Sequence, residues 1–415
     1  MKLWAKILIG LFLGVVIGHL VPDFAIKFKP IGSLFINAIK MLIVPLIFSS
    51  LLVGVTGMKD PKKMGRVGLK TFSMYLLTTA VAITIGLTVG TLLEPGKGIS
   101  LENTTTAVTI KEAPPFIDTL LDIVPKNPIK SMTDGKVLQI IVFAILLGVS
   151  LNLAGKPAQP VIKFFEGVAE GMYKMTAMIM ELAPYGVFAL MAAVSSQYGL
   201  DILVPLIKVL FGVYLGCIIH AFVTLGGSVA LFGRLNPIPF FQGIVDALAV
   251  AYTTASSSGT LPITIRCARR NLGVSDSISS FVLPLGATIN MDGTAMYQGV
   301  AALFIAQAYG IDLTFGNYVT IILTSTLASI GSAGVPGAGL IMLTLVLNSV
   351  GLPIEGIAII AGIDRILDMA RTTVNVVGDC MVTVLVAKSE GELDEKIYDI
   401  PRNLQSPDYS KLSTS

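Results

Sequence analysis

Charge is what this sequence of 415 residues has least of. Asp, Glu, Lys and Arg make up 13% of it against 53% hydrophobic residues, and the mean hydropathy is +0.81. Globular domains carry about 25% charged residues. The chain is too poor in charge to coat a soluble surface, which excludes an ordinary cytosolic enzyme and indicates a polytopic membrane protein. A formal net charge of +3 is too small to mark a nucleic-acid partner. Only three cysteines occur, Cys217, Cys267 and Cys380, far apart and without metal-ligand spacing. They read as reduced packing residues. The two histidines, His19 and His220, fall in apolar stretches and read as packing or interfacial residues. No phosphate-binding loop is present, so ATP-driven transport by this chain alone is not expected. The triplet Ser256–Ser258 has no His or Lys near it in sequence and is not a nucleophile elbow.

What is abundant is long apolar sequence. Stretches of about 20 such residues read as membrane helices, because lipid leaves every backbone polar group to be bonded within its own segment. Spans are predicted near residues 5–22, 31–57, 71–93, 137–155, 164–194 and 202–232. Gly10, Gly14 and Gly18 recur every four residues in the first, a stripe that lets another helix approach closely. The loop 58–70 holds Lys59, Lys62, Lys63, Arg66 and Lys70 against one acid, whereas residues 94–136 mix five Lys with six acids. The positive-inside rule then places the first loop and both termini in the cytoplasm. The long segment reads as a partly helical external excursion, and the chain from about residue 388 as a short solvated tail.

Between residues 237 and 387 two apolar stretches are broken at their centres. In the first, seven of the twelve residues from Thr253 to Thr264 bear hydroxyls; the second reads SIGSAGVPGAG from Ser329 to Gly339. Gly and Pro end helices, yet lipid does not tolerate exposed loops. Re-entrant hairpins with tips buried in protein satisfy both demands, and a kinked helix core is the plainer alternative. Two such breaks point to inverted repeats around a midplane site. With spans near 277–309 and 354–387, the expected fold is an all-α membrane protein of eight transmembrane helices and two re-entrant hairpins.

The last span carries Asp364, Arg365, Asp368, Arg371 and Asp379 in an otherwise apolar helix. Each such charge costs roughly 2.5–3.5 kcal/mol at mid-bilayer on insertion scales, so packing alone does not account for five. Asp364, Asp368, Arg371, Asn375 and Asp379 share one face at the helical period. Asp368 and Arg371 can pair at i, i+3, but Asp379 finds no cation nearby in its helix, which suggests a cation taken from solution. The preceding span reads GATINMDGT from Gly286 to Thr294. Asn290, Asp292 and Thr294 beside glycines supply oxygen ligands of the kind hard cations need, on a backbone that can unwind locally. Arg371 offers a planar fork to a carboxylate and Asp368 can receive an ammonium, a set suited to a zwitterion with a second carboxylate.

With SSSGTLP at 256–262, NMDGTA at 290–295, GVPGAG at 334–339 and RTTVNVVGD at 371–379, the sequence resembles, over nearly its whole length, the glutamate/aspartate transporter family of sodium:dicarboxylate and amino-acid symporters, and within it a prokaryotic homologue of the excitatory amino acid transporters. The resemblance implies a homotrimer in a cell membrane. Residues 1–70 and 94–199 would form the scaffold, residues 71–93 and 200–387 a transport domain moving like an elevator, and residues 388–415 a cytoplasmic tail. It implies that Arg371 holds the substrate side-chain carboxylate and Asp368 its amino group. Thr372, Asn375, Thr294, Ser257, Val335 and Gly339 would join them, with the second hairpin as external gate. Three sodium sets are implied: Asp379 and Asn375 with Gly286 and Asn290; Thr288, Ser329, Ile330 and Ser332; and Asp292 and Asn290 with Tyr75, Thr78 and Thr79.

Differences among the family's members refine this. An acid at Asp379 favours sodium, and Gln298, where animal relatives have glutamate, speaks against proton co-transport. Asp368 favours an amino acid over a C4-dicarboxylate, and Arg371 an acidic one. The sequence departs from its relatives by having Ala255 before the serine triplet and Met369 after Asp368, two places where relatives carry arginine; Arg365 is the candidate replacement for that charge. The competing readings are a proton-coupled glutamate or C4-dicarboxylate symporter, an ion channel lined by the charged stripe, and an intramembrane protease using Asp292 and Asp379. Sodium is the expected co-transported ion and no organic cofactor is expected.

Overall fold

The structure is a computed structural model that describes residues 3–56, 61–98, 124–330, 334 and 336–400. Among these residues it is helical throughout, with only an isolated bridge between Val274 and Leu393. The helices are α1 (Leu3–Leu20), α2 (Lys29–Thr56), α3 (Pro61–Leu93), α4 (Pro128–Thr133), α5 (Val137–Ala154), α6 (Gln159–Glu181), α7 (Ala183–Tyr198) and α8 (Leu203–Ile219). α8 continues through a π-wound stretch, His220–Gly226, into Gly227–Leu231. Then come α9 (Pro237–Thr254), α10 (Ser257–Arg270), α11 (Asp276–Ile289), α12 (Asp292–Ala308), α13 (Phe315–Ile330), α14 (Ala338–Ser349), α15 (Ile357–Ala361) and α16 (Asp364–Glu390). Three helices among the described residues, Gly65–Leu93, Gly199–Leu231 and Asp364–Glu390, are long and apolar enough to cross a bilayer.

Two groups of helices emerge from the packing. α1 lies along α7, and α2 packs on α5, α6 and α7. The glycine stripe of α1 explains that contact: a Cβ on Gly14 would sit 2.6 Å from the Phe188 carbonyl oxygen, and one on Gly18 2.6 Å from that of Ala192. α3, α8, α13, α14 and α16 pack around α12, which is buried on every side except at Gln307, while α9, α10 and α11 join this group through α16. An apolar helix buried all round belongs at a core. The approach of α3 to α12 is backbone to backbone, with a Cβ on Gly299 placed 2.9 Å from the Leu87 nitrogen.

Several elements differ from the sequence expectation. The span expected over 164–194 is two helices, α6 and α7, divided at Leu182. Pro184 lacks the amide donor and its ring crowds the preceding turn, so the helix restarts there. Residues 61–70 are the first turns of α3 rather than loop, while 57–60 lie outside the described residues. The last span is broken at Gly362–Ile363, between α15 and α16. Of the 94–136 segment, 99–123 lie outside the described residues, and α4 is helical as expected. The first part of the expected solvated tail is packed. The Asp394 amide donates to the Gly273 oxygen at 2.8 Å, and the buried Tyr398 hydroxyl donates to the Asn236 oxygen at 2.8 Å. Burial pushes the Tyr398 phenol above its ordinary range, which keeps that donor protonated.

Candidate functional site

Both broken stretches form helical hairpins, α9–α10 and α13–α14. α9 ends at Ala255, held in the left-handed region at φ 51°. Ser256 then caps α10, its Oγ accepting from the Gly259 amide at 3.0 Å. The second tip turns at Gly337, φ 83°, before α14 begins. Such a φ is open to glycine at no steric cost. The two tips touch. Ser256 Oγ donates to the Gly334 carbonyl oxygen at 2.8 Å, and the Ser258 amide donates to the same oxygen at 3.2 Å.

Beneath the tips lies the charged face of α16. Arg371 is fully buried. Its Nη1 donates to Asp364 Oδ1 at 2.8 Å, and its Nη2 lies 2.9 Å from Asp368 Oδ1, an ion pair without an aligned hydrogen bond. The guanidinium carbon stands 4.2 Å from the centre of the Tyr297 ring, within cation–π range. On the opposite side α14 comes so close that a Cβ on Gly339 would be 2.8 Å from Arg371 Cζ. Arg371 Nε has no partner. Asp368 Oδ2 accepts from the Gly337 amide at 3.0 Å, tying the second tip to α16. Arg365 reaches the first tip, its Nη2 donating to the Thr254 oxygen at 3.2 Å. Arg371 thus pairs with both acids, whereas Arg365 is bonded to the first tip and to neither acid among the described residues.

A second cluster lies where α11 breaks into α12 at Asn290 and Met291, the unwinding the sequence led us to expect. Asn290 Nδ2 donates to Asp379 Oδ1 at 2.9 Å and to the Asn375 carbonyl oxygen at 3.2 Å. Asn375 Oδ1 accepts from the Gly293 amide at 2.8 Å. Gly286 faces this group, where a Cβ would lie 2.5 Å from both Asp379 Oδ1 and the Tyr75 hydroxyl. Asp292 Oδ1 accepts from Thr79 Oγ1 at 2.7 Å and Thr78 Oγ1 at 3.3 Å. Thr78 Oγ1 also bonds the Tyr75 carbonyl oxygen. Among the described residues Asn290 Oδ1 is buried without a partner, and a buried orphan acceptor calls for a donor or a cation. Among the described residues no group of three or more His, Cys, Asp or Glu could hold a metal. The donors here are carboxylate, amide, hydroxyl and backbone oxygens, a hard-cation set.

The structure therefore brings together Arg371, Asp368 and Gly339 in one place and Asp379, Asn375, Asn290 and Gly286 in another, with Asp292, Thr78, Thr79 and Tyr75 beside the latter. Thr294 and Thr372 are buried on helices bearing these groups, and Ser257 is buried at the start of α10, at the first tip. The Thr288 and Ser329 hydroxyls instead turn back onto their own helices, at Leu285 and Thr326. Ile330 is buried at the end of α13. Ser332 and Val335 lie outside the described residues.

One expectation is overturned. His220 does not merely pack: its Nε2 is 3.0 Å from Asp292 Oδ2, and both residues are fully buried. A buried carboxylate draws a hydrogen-bond donor to it, and the winding of α8 delivers one. Sequence reasoning also gave no role to Asp364, which is Arg371's bonded partner, or to Tyr297. Their signals were present, Asp364 two turns before Arg371 on one face and Tyr297 one turn beyond Thr294.

Comparison with known proteins puts a family to this geometry. The chain matches the sodium:dicarboxylate symporter family over residues 3–389. It is 41% identical to a proton/sodium-glutamate symport protein of Geobacillus stearothermophilus, over 94% of this chain and 95% of the relative. It is 40% identical to the proton/glutamate-aspartate symporter of Escherichia coli, covering 89% and 86%. A C4-dicarboxylate transport protein of Bacillus subtilis is 36% identical, over 95% of each. This chain belongs to the sodium:dicarboxylate symporter family, and it is a membrane transporter rather than an enzyme.

Proposed function

We propose that this chain is a sodium-coupled symporter of acidic amino acids, L-aspartate, L-glutamate or both, in the cell membrane. The observation that carries the reading is the fully buried Arg371 beneath two touching hairpin tips, with Asp368 one turn away. An α-amino acid with a side-chain carboxylate brings one group for each: carboxylate to the guanidinium fork, ammonium to Asp368. Thr372, Asn375, Thr294, Ser257, Val335 and Gly339 would complete its contacts. Substrate exchanges for internal partners that Arg371 and Asp368 already have, so neither charge is left bare. A C4-dicarboxylate would set a second carboxylate against Asp368, and like charges at that range repel.

Asp379, paired with a neutral amide, and Asn290 Oδ1, with no partner, favour a bound sodium ion as co-substrate. The expected sets are Asp379, Asn375, Gly286 and Asn290; Asp292, Asn290, Tyr75, Thr78 and Thr79; and Thr288, Ser329, Ile330 and Ser332. The names of the relatives keep a second reading in view, a proton-coupled glutamate or C4-dicarboxylate symporter. The two packing groups support the elevator division, with α1, α2 and α4–α7 as a trimeric scaffold and α3 with α8–α16 as the moving part. In this reading there are eight spans and two re-entrant hairpins, both termini are cytoplasmic, and the second hairpin is the external gate. Uptake of labelled L-aspartate into proteoliposomes tests the whole. An inward sodium gradient should drive it, with competition by L-glutamate and not by succinate. Uptake driven by protons in sodium-free buffer would establish the second reading instead.

A further inference from the structure

Asp292 has two oxygens with different neighbours. Oδ1 accepts from Thr79 and Thr78 of α3, whereas Oδ2 faces only His220 among its hydrogen-bond partners in the described residues. A carboxylate accepts and does not donate, so the histidine Nε2 carries the hydrogen between them. The ring is fully buried, and its Nδ1 has no partner. His220 therefore makes one polar contact, and it is directed at this acid.

The contact is built by the fold. Along α8, Val213, Gly216, Cys217 and His220 form one buried face. Gly216 lets α8 close onto α12: a Cβ there would be 2.5 Å from Met296 Sδ. Four residues on from Gly216 is His220, and four residues back from Met296 is Asp292. The close approach at 216–296 thus sets an antiparallel register whose next turn is the 220–292 pair. The helix then widens into π winding starting at His220 itself, a local departure from α geometry that recurs at functional sites.

We infer that His220 is a positioning residue for the cation held at Asp292: its Nε2–H fixes Oδ2 and so turns Oδ1 toward Thr78, Thr79 and the Tyr75 carbonyl oxygen. The inference rests on the sodium-coupled reading above, and it needs only the N–H, whatever the charge on the ring. A partner that orients a metal-binding group typically changes metal affinity about 10- to 100-fold when removed.

The experiment is a sodium titration of L-aspartate binding to the purified full-length protein in detergent, by calorimetry and by the sodium-dependent rise in melting temperature. His220→Gln keeps an N–H donor; His220→Leu and His220→Phe remove it. The apolar variants should need about tenfold more sodium for half-saturation, with aspartate affinity at saturating sodium within twofold of the parent, and His220→Gln should stay within threefold in sodium. A folded apolar variant with unchanged sodium dependence overturns the inference. So does a folded His220→Gln that needs about tenfold more sodium than the parent, because then the ring's shape and not its donor matters; this arm is read against the parent and decides even if both apolar variants misfold. Parent protein that binds aspartate without regard to sodium overturns the coupling reading, and this inference with it.

Discussion

The two buried charge clusters on α16 are built from the same kinds of residue and solved differently. Around Arg371, two carboxylates share one guanidinium, with Arg365 on the same helix bonded to the first tip. Around Asp379 and Asp292 the partners are an amide, two hydroxyls and an imidazole. The first cluster is complete in itself and can exchange internal partners for those a zwitterion brings. The second holds two carboxylates whose neighbours stabilise them by hydrogen bonds alone, an arrangement that favours a cation from outside. In the proposed reading, ion pairing marks the site for the organic substrate, and its lack marks the site for the ion.

Substitutions can break that contrast. The largest effect is expected from Arg371→Ala, which leaves Asp364 and Asp368 buried without their cation. Unpairing a buried charge costs about 3–5 kcal/mol, so sodium-driven aspartate uptake should fall by more than about 100-fold in protein that still elutes as a folded species. Next comes Asp379→Asn, which removes one charge of the uncompensated cluster at nearly constant shape. The sodium concentration for half-maximal aspartate binding should rise about tenfold or more, while Arg371 keeps its partners. Gly286→Ala tests the space between the clusters' helices. Its Cβ would meet Asp379 Oδ1 and the Tyr75 hydroxyl at 2.5 Å, an overpacking worth roughly 1–3 kcal/mol, visible as a lower melting temperature with weakened sodium stabilisation. The smallest effect is expected from Arg365→Ala. It frees the Thr254 oxygen at the first tip; loss of one hydrogen bond of about 1 kcal/mol predicts roughly fivefold weaker aspartate binding. Unchanged sodium affinity, substrate affinity and transport rate would remove Arg365 from the site.

The organic site was the more legible of the two in the sequence. Its residues lie at helical spacing on α16, and charges in an apolar span cannot be mistaken for packing. The break at Asn290 and both hairpin tips were legible for the same reason: Gly, Pro, Ser and Asn at the centre of an apolar run contradict a continuous helix. His220 was not legible, because a lone histidine in an apolar helix carries no local sign of what it faces. Its partner lies 72 residues away and is chosen by the register at Gly216 and Met296. Asp364 was visible as a charge and invisible as a partner, since Arg365 beside it and Arg371 two turns on compete for it. The division at Leu182 was hidden because apolar residues continue past Glu181 and Pro184 into α7.

The contact between the hairpin tips has a use beyond closure. The first amides of a helix have no carbonyl of their own to bond. In α10 the Gly259 amide is served by Ser256 within the same hairpin, but the Ser258 amide is served by Gly334 of the other. Parting the tips would strip that one amide of its acceptor while leaving its neighbour capped. The Ser258 N–H is thus a built-in clock for separation of the tips: if the second hairpin is the gate proposed above, its deuterium uptake should count openings, and the Gly259 N–H supplies the reference beside it.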